Sequence, residues 1–403
     1  MFQRQGAAFI EEKLDFIEPV MGLFHVQMNM LKLMIMTYWG RPDAKDPASL
    51  QHFLKMVGNN RVKRDAKDFN GCLSFINDVL DAHVLSACFT AVGVHTLDGL
   101  AARIHDGANW TELVEHIAHR LYTPALVHGW RCDLKNDDAE IPIRDGRRDL
   151  PLENAMLFMR DMLVFRDYES AVKDGDTGRI EKALDYWCIL FQGTSLKNYP
   201  NEMVHLILCL RKLWSKEYRK VWLDHCLVNI SGQKGAWMPD DRCCEHVVRE
   251  NKARIHPSSN ALTGDFNREV TARQILTYRD SRHTMYRITG STDYGMRSRL
   301  AQSLKQVLLF AGHMSENGIL KKTAGGRFKG RDHDSSTYYI AQDLYSDGCR
   351  KIASGEVLAK YKSRARANWP AANGIDSEDF EGGDDGDGMG GLELPDEELE
   401  AEF

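Results

Sequence analysis

Residues able to do chemistry gather in the last two-fifths of this chain. Arg242-Cys-Cys-Glu-His246, with His256 downstream, is the one stretch whose residue types suit a transition metal. Zinc sites usually separate paired cysteines by about two to four residues, because adjacent thiolates rarely converge on one tetrahedron. The stretch therefore reads as a helix bearing two core cysteines, and no metal site is assigned. Helical spacing also puts Glu245, Arg249 and Lys252 on one face, where Glu245 and Arg249 make an ordinary i,i+4 ion pair. Further on comes a ladder of arginines, Arg268, Arg273, Arg279, Arg282 and Arg287, continued by Arg297 and Arg299. Lys321, Lys322, Arg327, Lys329 and Arg331 follow on a Gly-rich loop. Tyr338, Tyr339, Tyr361 and Trp369 lie near the second cluster and near Lys360, Lys362, Arg364 and Arg366. Cationic side chains neutralise phosphates and aromatic rings stack on unpaired bases, so this composition suits nucleic acid.

The charge is divided sharply along the chain. Residues 1–267 carry 33 Lys+Arg against 36 Asp+Glu, a net of −3. Residues 268–366 carry 19 against 9, a net of +10. Residues 367–403 carry 13 acids and no Lys or Arg, a net of −13. A basic segment followed by an acidic tail suits a polyanion partner with which the tail competes. Leu392, Leu394, Leu399 and Phe403 sit among the tail acids, a pattern that also fits a segment docking on a protein partner. Asp385, Asp387, Gly390 and Asp396 imitate a calcium loop, but Met389 stands at a ligand position, so a solvated tail is expected.

Other signatures are missing. Gly325-Gly-Arg-Phe-Lys-Gly330 lacks the Gly-Lys-Ser/Thr ending of a phosphate loop. No nucleophile elbow, kinase set or HExxH pair occurs. The nine cysteines are odd in number and sit mostly in apolar stretches, which predicts free buried thiols in a reducing compartment. The first residues hold charges where a secretory signal needs an apolar run. Met21 to Trp39, the most membrane-like stretch, contains His25, Gln27, Asn29 and Lys32, so it reads as a buried helix with no membrane partner. An intracellular protein, nuclear or cytoplasmic, is expected.

With 43% apolar and 9% aromatic residues, the chain has the material for a core over residues 1–366. Periodicity predicts a mainly α fold with a few strands, near residues 15–28 and in 220–230, where strand and short helix are equally compatible. Helices are predicted at about 65–91, from Trp110 to Trp130, at Leu152–Val172, from Ile180, at Asn201–Tyr218, from Asp240 to Arg254, at Val270–Arg287, at Met296–Met314 and over 336–366. Asp174-Gly-Asp-Thr-Gly178 reads as a helix–helix turn. The expected division is an N-terminal strand-and-helix part (1–130), a polar loop (131–150), a helical domain (151–320), the basic Gly-rich loop (321–335), a C-terminal helix (336–366) and a disordered acidic tail (367–403).

Three stretches together resemble a known family. They are Phe16-Ile-Glu-Pro-Val-Met-Gly-Leu-Phe-His-Val-Gln-Met28, the run Arg166–Phe191 with Gly175-Asp-Thr-Gly-Arg-Ile-Glu181, and Val228-Asn-Ile-Ser-Gly232 followed by Asp240 and Glu245-His-Val-Val-Arg-Glu-Asn-Lys252. Their order and spacing resemble a domain-of-unknown-function family that is abundant in multicopy genes of mushroom-forming fungi and occurs also in some animals. The resemblance covers roughly residues 10–310. Those genes look like relics of mobile elements. The resemblance thus implies a transposase-derived protein, with a degenerate RNase H-like core interrupted by helices. In such a core, carboxylates hold magnesium for phosphoryl transfer. Glu245 is the first residue the resemblance nominates, with Asp240 or Asp224 as the second. Fuller members carry an upstream Gly-Asp-Gln segment for the first acidic strand, and this sequence starts after it. The resemblance therefore implies a nucleic-acid-binding protein inactive as a nuclease, with magnesium needed only if cleavage survives. The alternative is a helical protein-interaction module with an acidic partner-binding tail and no nucleic-acid role.

Overall fold

The structure, a computed structural model, describes residues 20–40, 47–59, 61–105, 109–112, 114–115, 132–133, 141–142, 149–196, 198–254, 277, 296–321 and 341–368. The described residues are mainly helical. The chain divides into two compact units, each assembled from segments distant in sequence. Among the described residues, one comprises 20–22, 177–225 and 343–368, and the other 23–176 and 226–342.

The larger unit is built on helices α1 (Leu23–Tyr38), α2 (Leu50–Val57), α3 (Phe69–Val92) and α4 (Leu97–His105). Two short strands follow, β1 (Cys132–Asp133) and β2 (Ile141–Pro142), paired antiparallel within the segment expected to be a loop. Helix α5 (Leu150–Asp174) completes its first half. Asp68 caps α3 by accepting the Gly71 N–H at 2.8 Å, the role an acidic side chain plays at a helix start. Helix α3 is long and apolar enough, by length and composition, to cross a membrane, and 67% of its most apolar window is buried inside the protein. Met21–Trp39, by contrast, contains the 16-residue α1, with Met30, Met34 and Ile35 fully buried.

Aromatic rings tie these helices together. Phe24 meets Phe69 edge to face at 5.3 Å, and Tyr38 meets Phe158 in the same way at 5.3 Å. The buried His83 tilts against Phe158, with its Nδ1–H donated to the Val79 carbonyl at 2.8 Å. Burial pushes the His83 pKa down to about 4, so this ring stays neutral. Below these rings, Asp161 is fully buried and accepts from Tyr38 Oη at 2.5 Å and from Arg160 Nε at 2.8 Å. Asn154 Oδ1 accepts the Ala341 N–H at 2.9 Å.

The smaller unit contains α6 (Thr177–Gln192), α7 (Tyr199–Leu208), a π-helical turn (Cys209–Leu213) and α8 (Lys216–His225). Trp187 and Phe191 fill its core. The expected continuous helix to Tyr218 is thus broken. The π turn closes with Trp214 N–H to Cys209 C=O, and Trp214 itself is extended (φ −78°, ψ 144°). Strands β3 (Leu227–Val228) and β4 (Met238–Pro239) pair antiparallel in the larger unit and feed α9 (Asp240–Arg254). Helix α10 (Met296–Glu316) sets Phe310 against Phe53 and Phe75. Helices α11 (Leu344–Ala353) and α12 (Glu356–Asn368) return to the smaller unit.

Several expectations change. Residues 23–28 are helical, not strand, because the buried positions Leu23, Val26, Gln27, Met30, Leu31 and Met34 recur at steps of three and four. Residues 216–225 are helical, and strand is confined to Leu227–Val228. The helix expected over 336–366 is interrupted at Gly355, whose φ of +78° suits glycine. The predicted turn at Gly175 is present, with φ +75° and the Asp176 N–H returning to the Ala171 carbonyl. Asn109 Oδ1 accepts from Thr111 N–H at 3.1 Å, while most of the helix predicted beyond it lies outside the described residues. Residues 270–287 other than 277, the Gly-rich loop beyond Lys321 and the tail beyond 368 also lie outside them.

Candidate functional site

Helix α9 starts where the sequence puts an acidic pair, Asp240-Asp241, after the β-bridge and Pro239. Acidic residues favour a helix N-terminus because they offset its positive end. Asp240 Oδ1 accepts the Asp241 N–H at 2.7 Å, and the Asp240 N–H returns to the Cys226 carbonyl at 3.1 Å. The start is anchored from behind by Trp237, which lies so close to Gly175 that a Cβ there would sit 2.9 Å from Trp237 Nε1.

This placement turns Asp241 onto the first turn of α1. Its carboxylate accepts the Phe24 N–H at 3.0 Å and the His25 N–H at 3.0 Å. Those are orphan donors of a helix start, satisfied here by a side chain some 216 positions away in sequence. The same carboxylate meets His25 Nδ1 at 2.9 Å. One turn further along α9, Glu245 Oε1 lies 3.8 Å from His25 Nε2, an ion-pair rather than hydrogen-bond distance. Arg242 lays its guanidinium over the Phe24 ring, 5.3 Å from the centroid. From α5, Tyr168 Oη donates to the Leu23 carbonyl at 3.0 Å.

The electrostatics follow from this geometry. The hydrogen bond to Asp241 raises the His25 pKa, partial burial opposes it, and the charges of Asp241 and Glu245 add to the rise. Burial by itself would raise Asp241, but the His25 hydrogen bond and the two backbone donors hold its carboxyl below the usual range. Burial raises Glu169 beneath this layer, against the opposing hydrogen bond from Asn77 and the nearby cations Lys173, Arg166 and Arg242. His25 thus lies between two carboxylates that share one face of α9, an arrangement that favours its protonated form. The arrangement joins two helices, and it leaves Asp241 with its oxygens committed to three donors.

The nominated carboxylates are distributed unevenly. Glu245 is half-exposed and faces His25. Asp240 accepts its neighbour's N–H at the start of the same helix, five positions earlier and on a different face. Asp224 belongs to the other unit, on α8. The Arg249 side chain, expected to pair with Glu245, lies outside the described residues. Cys243 is half-buried and Cys244 exposed, so the pair does not sit in the core as expected. Among the described residues, no group of three or more His, Cys, Asp or Glu side chains is arranged to hold a metal ion. Of the nominated cations, Lys321 is described and exposed, whereas Arg268, Arg273, Arg279, Arg282, Arg287, Lys322, Arg327, Lys329 and Arg331 lie outside the described residues.

Sequence reasoning missed His25 and Asp241. The signal was present in part: Asp241 and Glu245 stand at i,i+4, and His25 is a titratable residue inside a Met-rich helix. Asp241→Ala is expected to destabilise the protein by about 2 kcal/mol, the sum of a lost cap and a lost charge-assisted bond. The effect depends on pH. His25 has a raised folded pKa, so its contribution is complete below its unfolded value and fades as pH rises through the folded one. Asp241 has a depressed folded pKa, so its contribution is present above its unfolded value and fades as pH falls through the folded one. Urea midpoints of wild type and variant should therefore differ most near pH 5.5 and less at about pH 8.5. A gap that is constant over this range would show that His25 carries no charge in the clamp.

No curated protein and no solved structure matches the chain. A family model does match, over residues 2–297. That span takes in all three stretches on which the resemblance rests, together with α1, α9 and the clamp between them, and the chain belongs to this family of unknown function, DUF6589.

Proposed function

We propose that the protein is an intracellular, mobile-element-derived nucleic-acid-binding protein whose basic C-terminal third contacts phosphate and whose acidic tail competes for that surface. The observation that carries the reading is the step in charge from +10 over residues 268–366 to −13 over residues 367–403. Two features support it. Helix α12 is exposed along most of its described length, shows Lys360 and Lys362 to solvent, and contains one acid, Glu356. The order of motifs resembling mobile-element relics favours nucleic acid over other polyanions.

Cleavage is not part of the reading. A magnesium nuclease on an RNase H-like core needs carboxylates that converge on the metal. Asp241 is committed to helix α1, and Glu245 is turned towards His25. Binding without cutting fits these roles.

The test compares the full chain with one ending at Asn368, which keeps α12 intact. Fluorescence anisotropy with single-stranded DNA, duplex DNA and RNA is expected to show tighter binding by the shortened chain, by about tenfold at low salt. The gap should close as salt screens both tail and phosphate. Equal affinity for the two chains would remove the tail from the account. If neither binds any of the three, the acidic tail becomes the place to seek a protein partner.

A further inference from the structure

The smaller unit leaves one helix open to solvent. Helix α8 has an apolar side formed by Val221, Tyr218, Trp222 and Leu223, yet none of its residues is buried. An amphipathic helix normally packs such a side against a core. Tyr218 and Val221 are 40% and 54% exposed, and Leu213, on the π-helical turn just before, is 59% exposed. The aromatic side chains form one group. Tyr218 and Trp222 stand at i,i+4 on one face of α8. Trp214 lies against both, edge to face with Tyr218 at 5.0 Å and tilted against Trp222 at 5.8 Å.

Cations are interleaved with these rings. Arg211-Lys-Leu-Trp-Ser-Lys-Glu-Tyr-Arg-Lys-Val-Trp222 holds five Lys+Arg and one acid. Two of the five act as anchors. Arg219 meets both carboxylate oxygens of Glu181, at 2.6 and 2.7 Å, and Arg211 pairs with Asp185. Glu181 and Asp185 stand one turn apart on α6, so the π-helical turn and α8 are both held to that helix. Lys212, Lys216 and Lys220 are exposed. Lys216 and Lys220 lie on nearly the opposite side of α8 from Tyr218 and Trp222, so a strand lying across the helix meets rings on one side and ammonium groups on the other.

We propose that the π-helical turn and α8 form a stacking platform for single-stranded nucleic acid. Trp214, Tyr218 and Trp222 contact bases, and Lys212, Lys216 and Lys220 contact phosphates. Bases in a duplex stack on each other, whereas those of a single strand offer their faces to aromatic side chains. Apolar side chains of a protein would fit Leu213 and Val221, but three rings with interleaved lysines favour bases and phosphates. The two arginine anchors hold the platform in place before a strand arrives, so binding orders little of the chain. This inference rests on the nucleic-acid reading above. It adds a second surface, outside residues 268–366, and a preference for unpaired bases.

The test mixes the full chain, at about 50 mM salt, with a single-stranded oligonucleotide carrying iodouridine, irradiates it and maps the adducts by mass spectrometry. Adducts are expected on Trp214, Tyr218 or Trp222. Tyr218→Ala should weaken single-strand binding by about tenfold and leave duplex binding within about twofold, and Tyr218→Phe should keep the wild-type affinity for both. Tyr218 is exposed, so neither substitution opens the core. Adducts confined to residues 268–366 overturn the platform, and the map needs no variant. So does a Tyr218→Ala chain whose single-strand affinity falls no more than its duplex affinity. Either result leaves the basic third bound to nucleic acid, so the reading above survives it. A wild-type chain that binds no nucleic acid removes both, and the open side of α8 then calls for a protein segment such as the acidic tail around Leu399 and Phe403.

Discussion

Asp161→Ala is expected to destabilise the protein by about 4 kcal/mol, because it strips a carboxylate from a guanidinium that has no easy route to water. Arg160 is 4% exposed and Asp161 fully buried. The Arg160 Nε–H bond and the Tyr38 hydroxyl bond both end on Asp161. The carboxylate therefore links α1 to α5 beneath the Tyr38–Phe158 contact. Removing it takes away an acceptor that the Arg160 Nε–H and the Tyr38 hydroxyl share inside a packed core. Asp161→Asn keeps an acceptor for Tyr38 and should cost about half as much. Urea unfolding of the two variants checks this: the midpoint should fall in the order wild type, Asn, Ala, with little change in slope. Equal midpoints for Asn and Ala would mean that charge, not the Tyr38 bond, accounts for the whole effect.

Gly348→Ala is expected to cost about 3 kcal/mol or more, above the usual range for a single added methyl. A Cβ at Gly348 would lie 1.9 Å from the Ile189 carbonyl oxygen, and one at Gly193 would lie 2.1 Å from the Leu344 carbonyl oxygen. The two contacts are reciprocal, since Ile189 and Gly193 on one side meet Gly348 and Leu344 on the other. They show α6 and α11 running antiparallel with their backbones in contact at both points. Backbone cannot swing aside as a flexible side chain can, so the helices must part. Helix α11 precedes α12, which carries both Lys360 and Tyr361, so the damage should reach beyond stability. Thermal unfolding of Gly348→Ala should show a lower midpoint, and far more so than Gly355→Ala, where nothing lies within 4 Å of a built Cβ. Gly355 has φ +78°, so Ala there costs only backbone strain of about 1 kcal/mol. Equal losses at the two sites would show that helix contact is not what Gly348 provides.

Local signals in the sequence carry much of the helical layout. The acidic pair at Asp240 and the break before it place α9 at Asp240–Arg254, the predicted bounds. Gly175 marks the turn between α5 and α6 through a φ that only glycine adopts cheaply. What local pattern does not show is where a long apolar run breaks. Asn201 to Tyr218 keeps helical periodicity through Trp214, yet the chain goes π-helical and then extended there. The stretch at 15–28 illustrates a different limit. The six residues 23–28 are too few to separate the two periods, and the helix shows only when Met30, Leu31 and Met34 extend the buried stripe.

The candidate site was half legible. Glu245 could be found because it stands in one of the three stretches that carry the family resemblance. Asp241 could not, since its three partners lie on α1, more than 200 positions away, and each is a donor that only the folded chain brings near. His25 was visible only as a polar residue that spoils a membrane span.

The central claim is that the basic third meets phosphate. The most direct test is a salt titration of the full chain against single-stranded DNA, duplex DNA and RNA. The account predicts an apparent affinity that falls steeply, with a slope of log K on log salt of about −3 or steeper, as several phosphates exchange their counterions for Lys and Arg. A flat dependence, or no binding to any of the three at about 50 mM salt, would contradict it.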